Sequence, residues 1–293
     1  MQNKKIILTG ASGFIGTKLL ERLLASGYEV FAIKRPNSDR TTSGKVIWLT
    51  YDELKMRSAE LGTVDAIVHL ATEYGRNVQD GLSPVLACNV LLPLQLMELA
   101  TTVGIKKFIS TDSFFGKYEK TYNYMKSYIV SKRQLNELAE IFCAENDLSF
   151  FNMRLEHVYG EGDGENKFIP FIIRSLQKNE HAIKCTTGLQ KRDFVYIDDV
   201  VDAYIAVINC EVKSKYTEFE VGTGVSRPLK EIIEEIKRQL PSDTSIDYGA
   251  IPLRHDEIMD SKADLTNLVN IGWRPVYNLK DGVRKMLSKE KRT

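Results

Sequence analysis

Tyr128 and Lys132 have the side-chain types and the spacing that proton transfer requires. Apolar spacing predicts a helix over 128–145, and residues four apart on a helix lie on one face. A free tyrosine hydroxyl has a pKa of about 10, and a neighbouring ammonium is expected to lower that pKa. The pair is therefore a candidate proton donor or acceptor near neutral pH. The alternative is a pair of ordinary helix residues.

Hydroxyl groups come before this helix, in the segment S-T-D-S at 110–113. The segment lies at the end of a predicted strand, 107–110, and open α/β sheets bind ligands at the carboxyl ends of their strands. A hydroxyl at that place could hold a carbonyl oxygen beside Tyr128.

A glycine-rich loop, T-G-A-S-G-F-I-G at 9–16, joins a short apolar strand to a predicted helix over 15–26. In that context Gly10 permits a tight turn, Gly13 lets a pyrophosphate approach the backbone, and Gly16 lets the helix pack close to the strand. The anionic pyrophosphate would lie at the positive N-terminus of the helix. The loop predicts a nicotinamide dinucleotide, and a purely structural glycine turn is the alternative.

The end of the second predicted strand, 28–33, indicates which dinucleotide is bound. An acidic residue there usually holds the ribose 2′-hydroxyl of NAD. This chain has Lys34 and Arg35 instead, and two adjacent cations suit the 2′-phosphate of NADP. We therefore predict NADPH as the cofactor. The alternative is that both cations are solvated loop charges.

Strand-like and helix-like segments alternate through the first half of the chain, which predicts parallel strands joined by crossover helices. The expected fold is α/β, a doubly wound parallel (Rossmann) sheet with a smaller C-terminal α/β substrate-binding lobe. We place the NADP-binding domain at 1–166, with about 195–225 returning to it, and the lobe mainly at 167–293. In that lobe we predict a helix at 229–239, followed by loops.

The charge balance is nearly neutral, with 40 Lys and Arg against 39 Asp and Glu. It gives no electrostatic reason to expect a nucleic-acid or acidic-membrane partner. We see no stretch approaching the ~20 apolar residues of a membrane span and no signal-peptide core, so we expect a cytoplasmic protein. The four cysteines have no C-x-x-C spacing, so we expect reduced thiols and no metal site.

The glycine loop, the STDSFFG segment and the YIVSK helix together resemble the extended short-chain dehydrogenase/reductase family of nucleotide-sugar enzymes, over nearly the whole chain. Within that family, the similarity is greatest to NADPH-dependent reductases of CDP-4-keto-3,6-dideoxyglucose from bacterial O-antigen synthesis, in residues 69–75, 152–170, 184–194 and 249–259. The resemblance implies a nucleotide-sugar substrate. It also implies a homodimer that pairs helices 85–103 and 128–145, although their apolar faces could simply cover the sheet.

The resemblance implies a catalytic triad of Thr111, Tyr128 and Lys132. In it Tyr128 protonates the C4 oxygen of the sugar, Thr111 hydrogen-bonds the same oxygen, and Lys132 also holds the nicotinamide ribose. The family's acidic position falls on Lys34. The other implied cofactor contacts are Gly10, Ser12, Gly13, Phe14, Ile15, Gly16, Arg35, Leu70 and Ala71. The implied substrate contacts are Thr72, Asp112, Ser113, His157, Lys167, Phe168, Arg192 and Arg254, the two arginines on the pyrophosphate.

The STDSFFG segment departs from the S-T-D-E-V-Y-G of the family's dehydratases, because Ser113 replaces the glutamate. Water elimination needs both an acid and a base, so this loss argues against a dehydratase. An epimerase with tightly bound NAD, a reductase that forms the paratose-type C4 epimer, and a non-catalytic dinucleotide sensor remain open. His157 replaces a common asparagine, and is either a phosphate contact or a packed side chain.

Overall fold

The computed structural model describes residues 4–76, 81–118, 123–211 and 214–290 of the 293-residue chain. The chain forms two compact units, Met1–Arg154 with Tyr204–Phe219, and Leu155–Ala203 with Glu220–Thr293. The division is based on compactness and does not show which ligand each unit binds. The ligand-binding roles that we assigned to 1–166 and 167–293 stay a prediction.

The strands of the described residues are, in chain order, β1 (Lys5–Thr9), β2 (Glu29–Ile33), β3 (Val46–Leu49), β4 (Ala66–His69), β5 (Lys107–Ser113), β6 (Ser149–Leu155), β7 (His157–Tyr159), β8 (Ala182–Cys185), β9 (Lys191–Arg192), β10 (Phe194–Tyr196), β11 (Tyr216–Val221), β12 (Arg227–Pro228) and β13 (Ser245–Tyr248). The α-helices are α1 (Phe14–Ala25), α2 (Tyr51–Met56), α3 (Ser83–Leu86), α4 (Leu92–Val103), α5 (Lys126–Glu145), α6 (Phe168–Gln177), α7 (Ile197–Asn209), α8 (Leu229–Gln239), α9 (Thr266–Asn270) and α10 (Leu279–Glu290).

Seven of these strands form one parallel sheet in the order β11-β6-β5-β4-β1-β2-β3. β1 pairs in parallel with β2 on one side and with β4 on the other. The strand order therefore reverses at β1, and open α/β sheets bind their ligands at such a reversal, outside the carboxyl ends of the strands. The loops after β1 and β4 meet there. The predicted doubly wound fold is confirmed.

The sheet is stabilised by apolar side chains that the strands and helices bury together. Ile7, Phe31 and Ile67 on the strands pack with Leu96 of α4 and Leu135 of α5 in one core cluster. Complete burial of one such side chain stabilises the fold by about 1.5–3 kcal/mol. The same core explains why short, uninterrupted apolar runs became the central strands.

The structure refines one helix prediction and corrects another. The predicted helix over 85–103 contains a π-helical turn at Ala87–Leu91, between α3 and α4. The expected loops at the end of the chain are wrong, because α10 forms there and buries Val283, Met286 and Leu287. Those three apolar residues lie at helical spacing, but strongly charged neighbours obscured the pattern.

The expectation that no segment could span a membrane also needs correction. Among the described residues, the helix Ser83–Val103 is long enough and apolar enough to cross a membrane, by length and composition only. Its mean hydropathy is 1.4. Polar residues are scattered along this helix, so its sequence contains no uninterrupted apolar run of membrane-spanning length. A core helix passes the same test, and Leu96, Met97 and Ala100 of this helix lie in the core cluster.

Candidate active site

The glycine loop leaves no room for side chains at two of its positions. Gly10 has a φ of 68°, and a Cβ there would lie 2.6 Å from the backbone nitrogen of Ala71. A Cβ on Gly16 would lie 2.0 Å from the carbonyl oxygen of Gly10. These contacts hold the loop against the residues after β4 and bring α1 close to the strand, as the glycine spacing predicts.

Gly13 is the N-cap residue of α1 and has no side chain to bond the first turn. Unbonded backbone N–H groups at a helix start bind anions well. Ser12 and Gly13 are exposed, and Phe14 and Ile15 are half-buried. The loop therefore fits the pyrophosphate of a dinucleotide, and the individual contacts stay predictions.

Lys132 is a buried cation that the described residues leave unsatisfied. Its Nζ has no hydrogen-bond partner there and lies 6.0 Å from the centre of the Tyr128 ring. Burial lowers the pKa of the ammonium, while the charge of Asp112 acts in the opposite direction. A buried ammonium without a partner is costly, so this atom suits ligand hydroxyls such as those of a nicotinamide ribose.

The Tyr128 hydroxyl has its pKa shifted in the direction opposite to our expectation. Burial raises this pKa well above its usual value, and the nearby Tyr74 and Asp112 raise it further, against a hydrogen bond with Ser113 that lowers it. Loss of hydration penalises the phenolate more than the hydrogen bond with Ser113 stabilises it. Tyr128 therefore rests as a neutral phenol, which is the form that donates a proton.

The hydroxyls of β5 have partners that the sequence did not indicate. The side chain of Ser113 hydrogen-bonds Tyr128, whereas Thr111 Oγ1 lies 2.6 Å from the hydroxyl of Tyr204 on α7. Side chains alternate along a strand, so Thr111 and Ser113 share one face of β5. Ser113 is therefore the direct partner of Tyr128, while the Thr111 hydroxyl is engaged by Tyr204.

Asp112 has a different set of partners from its two neighbours. Its buried carboxylate accepts hydrogen bonds from Asn136 at 3.1 Å and Asn152 at 3.3 Å, and pairs with Arg154 at 3.4 Å. These bonds anchor β5 to α5 and β6. The substrate contact that we predicted for Asp112 stays untested, and its observed role is to connect these elements.

The loop after β4 is tied to the helix that carries Tyr128. Leu70, Ala71 and Thr72 are half-buried there. Asn89, buried in the π-helical turn, accepts a hydrogen bond from the Glu73 backbone nitrogen and donates one to the Glu73 carbonyl oxygen, each at 2.8 Å. Asn89 also donates to Ser131 Oγ on α5 at 2.9 Å.

Our reading of the sequence missed this asparagine. Its signal was a single amide side chain inside the apolar run LACNVLLPL, since buried polar groups in such runs are hydrogen-bonded to something specific. The π-helical turn that presents Asn89 is a form often found at functional sites.

The side chains of Lys34 and Arg35 differ in whether they already bond to the described residues of the protein. The Lys34 ammonium donates to the carbonyl oxygen of Arg40 at 2.8 Å and so fastens the loop after β2. The Arg35 side chain is exposed. Arg35 is therefore the better placed of the two to bind a phosphate.

Three of the predicted substrate residues lie together in the second unit. Burial, followed by the positive charges of Arg192 and Lys167, lowers the pKa of His157 to about 3. The imidazole therefore stays neutral at pH 7, and His157 pairs in β7 with Phe194 of β10, two residues after Arg192. Arg192 is buried and ion-paired with Glu257.

The remaining two predicted substrate residues are Phe168, which follows Lys167 in the sequence, and Arg254, three residues before Glu257. Phe168 is half-buried, with its ring 5.8 Å from that of Phe194. Arg254 is exposed, and its carbonyl oxygen accepts the Glu257 backbone N–H at 3.2 Å. The phosphate contacts of Arg192 and Arg254 stay predictions.

Sequence comparison gives relatives across nearly the whole chain. The chain is 47% identical over 288 residues to a CDP-abequose synthase of Salmonella muenchen, covering 98% of both chains. It is 42% identical to a CDP-abequose synthase of Salmonella typhimurium, covering 97% of both.

Solved structures show the same fold at lower identity. MoeE5 in complex with UDP-glucuronic acid and NAD superposes with a TM-score of 0.82 at 24% identity, covering 98% of this chain and 99% of that one. The UDP-glucose 4-epimerase of Thermotoga maritima gives a TM-score of 0.82 at 22% identity, with the same coverage. A sequence model of the NAD dependent epimerase/dehydratase family matches residues 6–222. The chain therefore belongs to the NAD dependent epimerase/dehydratase family.

Proposed function

We propose that this chain is an NADPH-dependent 4-ketoreductase that converts CDP-4-keto-3,6-dideoxyglucose to CDP-abequose for O-antigen sugar biosynthesis. The observation that carries the proposal is the 47% identity to a CDP-abequose synthase over 98% of both chains. Ser113, in place of the glutamate that a dehydratase needs, agrees with net reduction.

The residues around Tyr128 are suited to protonate a ketone that is being reduced. When bound, the reduced nicotinamide supplies the hydride to C4. Tyr128, neutral at rest, donates its proton to the C4 oxygen, and Ser113 and Thr111 supply hydroxyls beside that oxygen. Lys132 contributes a positive charge, which stabilises the phenolate left on Tyr128.

The proposal is tested by supplying the purified chain with NADPH and CDP-4-keto-3,6-dideoxyglucose. We expect NADPH absorbance to fall only in the presence of the ketosugar, and the NMR spectrum of the product to show the abequose configuration at C4. A paratose spectrum would correct the stereochemistry. Stoichiometric NAD released from the denatured protein, without NADPH consumption, would support the epimerase alternative.

Arg35 is predicted to determine the preference for NADPH over NADH. Replacement by serine removes a charged hydrogen bond to the 2′-phosphate, worth about 1.5–3 kcal/mol, so NADPH affinity should fall about 10- to 100-fold. NADH affinity should hardly change. Titration of both reduced cofactors by fluorescence measures the ratio.

Two further variants make this test specific. Lys34→Met should cost less NADPH affinity than Arg35→Ser, because Lys34 is already bonded to Arg40. Arg57→Ser, at an exposed arginine paired with Glu60, controls for the loss of a surface charge. Tighter binding of NADH than NADPH by the unmodified chain would overturn the cofactor assignment.

We also propose that the chain forms a homodimer through the helix Ser83–Val103 and α5. These helices line an apolar groove with Leu86, Val90, Leu91, Leu94, Leu138 and Ile141. Leu91 and Ile141 are 53% and 62% exposed, and clustered exposed apolar groups are typical of protein interfaces. A second copy would bring the same apolar faces to this groove.

Ile141→Glu is expected to convert the dimer to a monomer, because a buried, unpaired carboxylate costs several kcal/mol. Light scattering at micromolar concentration measures the mass. Met56→Glu, at a 78% exposed position on α2, should leave the dimer intact. A monomeric unmodified chain would refute the proposed assembly.

A further inference from the structure

Tyr74, in the loop after β4, packs its ring against the ring of Tyr128. The ring centres lie 5.2 Å apart at an interplanar angle of 38°, a separation at which aromatic pairs attract each other. Tyr74 is 38% exposed and Tyr128 is 6% exposed. A ring packed at this distance covers part of its neighbour, so Tyr74 contributes to the burial of Tyr128.

The backbone around Tyr74 is fixed in this place. Asn89 holds the Glu73 backbone, as described above, and connects it to Ser131, whose hydroxyl donates to the Tyr128 carbonyl oxygen at 2.8 Å. Gly75 has a φ of 61°, and a Cβ there would lie 2.7 Å from Ser127 Oγ. The loop therefore follows the surface of α5 closely on both sides of Tyr74.

The outer part of the Tyr74 ring has a cationic neighbour. The guanidinium of Arg76 lies 4.9 Å from the ring centre, within the range of a cation–π attraction. This contact adds to the backbone bonds that hold the ring over Tyr128.

We propose that Tyr74 is a positioning residue for Tyr128, whose ring it fixes and whose outer side it shields from water. The proposal rests on the proposed function, in which Tyr128 is the proton donor. It assigns a specific task to Tyr74 in the loop after β4, a residue for which the family motifs in the sequence gave no role.

Several titratable or polar groups face Tyr128, and the shielding acts among them. They are Tyr74 from the loop after β4, Asp112 and Ser113 from β5, Tyr204 from α7, and Lys132 from α5 itself. Loss of the Tyr74 ring admits water to the phenol and stabilises its phenolate. The pKa of Tyr128 is then expected to fall.

The ionisation of Tyr128 can be followed directly, without substrate. Tyrosine labelled with carbon-13 at Cζ gives an NMR signal that shifts on ionisation, and its loss in Tyr128→Phe assigns the Tyr128 signal. In Tyr74→Leu this signal should titrate at least about one pH unit lower than in the unmodified chain, since water then hydrates the phenolate. Tyr74→Phe keeps the ring but removes the hydroxyl whose charge also raises the pKa of Tyr128, so its signal should titrate between the unmodified value and the Tyr74→Leu value.

Tyr248→Leu serves as the matched control, because Tyr248 bonds Glu234 and is not among the groups that affect Tyr128. It should leave the Tyr128 titration unchanged. If Tyr128 titrates at the same pH in folded Tyr74→Leu as in Tyr74→Phe, the ring does not shield it and the proposal is wrong. Thermal unfolding confirms that each variant is folded.

Steady-state kinetics then separates this role from a structural one. Because reduction needs the protonated phenol, the alkaline fall of kcat should move to lower pH in Tyr74→Leu and move less in Tyr74→Phe, with little change in the KM for NADPH. A second outcome is a lowered Tyr128 pKa in Tyr74→Leu together with an unmodified chain that reduces no ketosugar. That result would support the shielding by Tyr74 and refute the proposed function.

Discussion

Tyr128→Phe is expected to lower the rate of ketosugar reduction by about a thousandfold while NADPH still binds. A positioned general acid contributes about 10²–10⁴ to a rate, and the variant removes the hydroxyl but keeps the ring. The ring contact with Tyr74 should survive, so the fold and the cofactor site remain intact. Stopped-flow or steady-state loss of NADPH measures turnover, and fluorescence titration measures cofactor binding.

The matched control for this variant is Tyr51→Phe. It also removes one tyrosine hydroxyl, which bonds the Gln95 carbonyl oxygen at 3.4 Å, and it lies outside the site. Full turnover is expected there. Retention of more than about a tenth of the rate by Tyr128→Phe would exceed what loss of a general acid permits, and would require another proton donor.

Gly16→Ala is expected to disable the dinucleotide site and to destabilise the fold. The new Cβ would lie 2.0 Å from the Gly10 carbonyl oxygen and 2.8 Å from its carbonyl carbon, and backbone atoms cannot rotate away as a side chain can. Overpacking of this kind costs about 1–3 kcal/mol. Displacement of α1 from the loop should lower NADPH affinity at least about tenfold.

Gly27→Ala separates the effect on the site from a general effect of replacing glycine. Gly27 has a φ of 87°, and a Cβ there would meet nothing within 4 Å. The expected cost is about 1 kcal/mol of backbone strain, with unchanged cofactor affinity. Urea unfolding and NADPH titration of both variants give the comparison, and equal cofactor affinities would show that close approach at Gly16 is unnecessary.

Local patterns explain what the sequence could predict. The glycine loop, the central strands and the helix that carries Tyr128 each depend on residues that are neighbours in the chain, and the observed bounds agree closely with the predicted ones. α10 also had a local pattern, but its charged residues hid the apolar stripe of Val283, Met286 and Leu287.

Properties of the site that depend on distant residues were not predictable in this way. The pKa of Tyr128 is governed by burial and then by the charges of Tyr74 and Asp112, which come from other parts of the chain. The choice of Ser113 as its partner, with Thr111 bonded to Tyr204, depends on where α7 returns to the sheet. Residue spacing within a single segment cannot predict such contacts between distant parts of the chain.

The place of β11 at the edge of the sheet has a consequence for the order of events during synthesis on the ribosome. β11 lies next to β6 in the sheet, yet the segment Leu155–Ala203 of the other unit is translated between them. Until Tyr216–Val221 has emerged, β6 is an open edge that can pair with other chains. The first unit therefore completes its sheet late, and the nascent chain carries an aggregation-prone edge while much of the second unit is made.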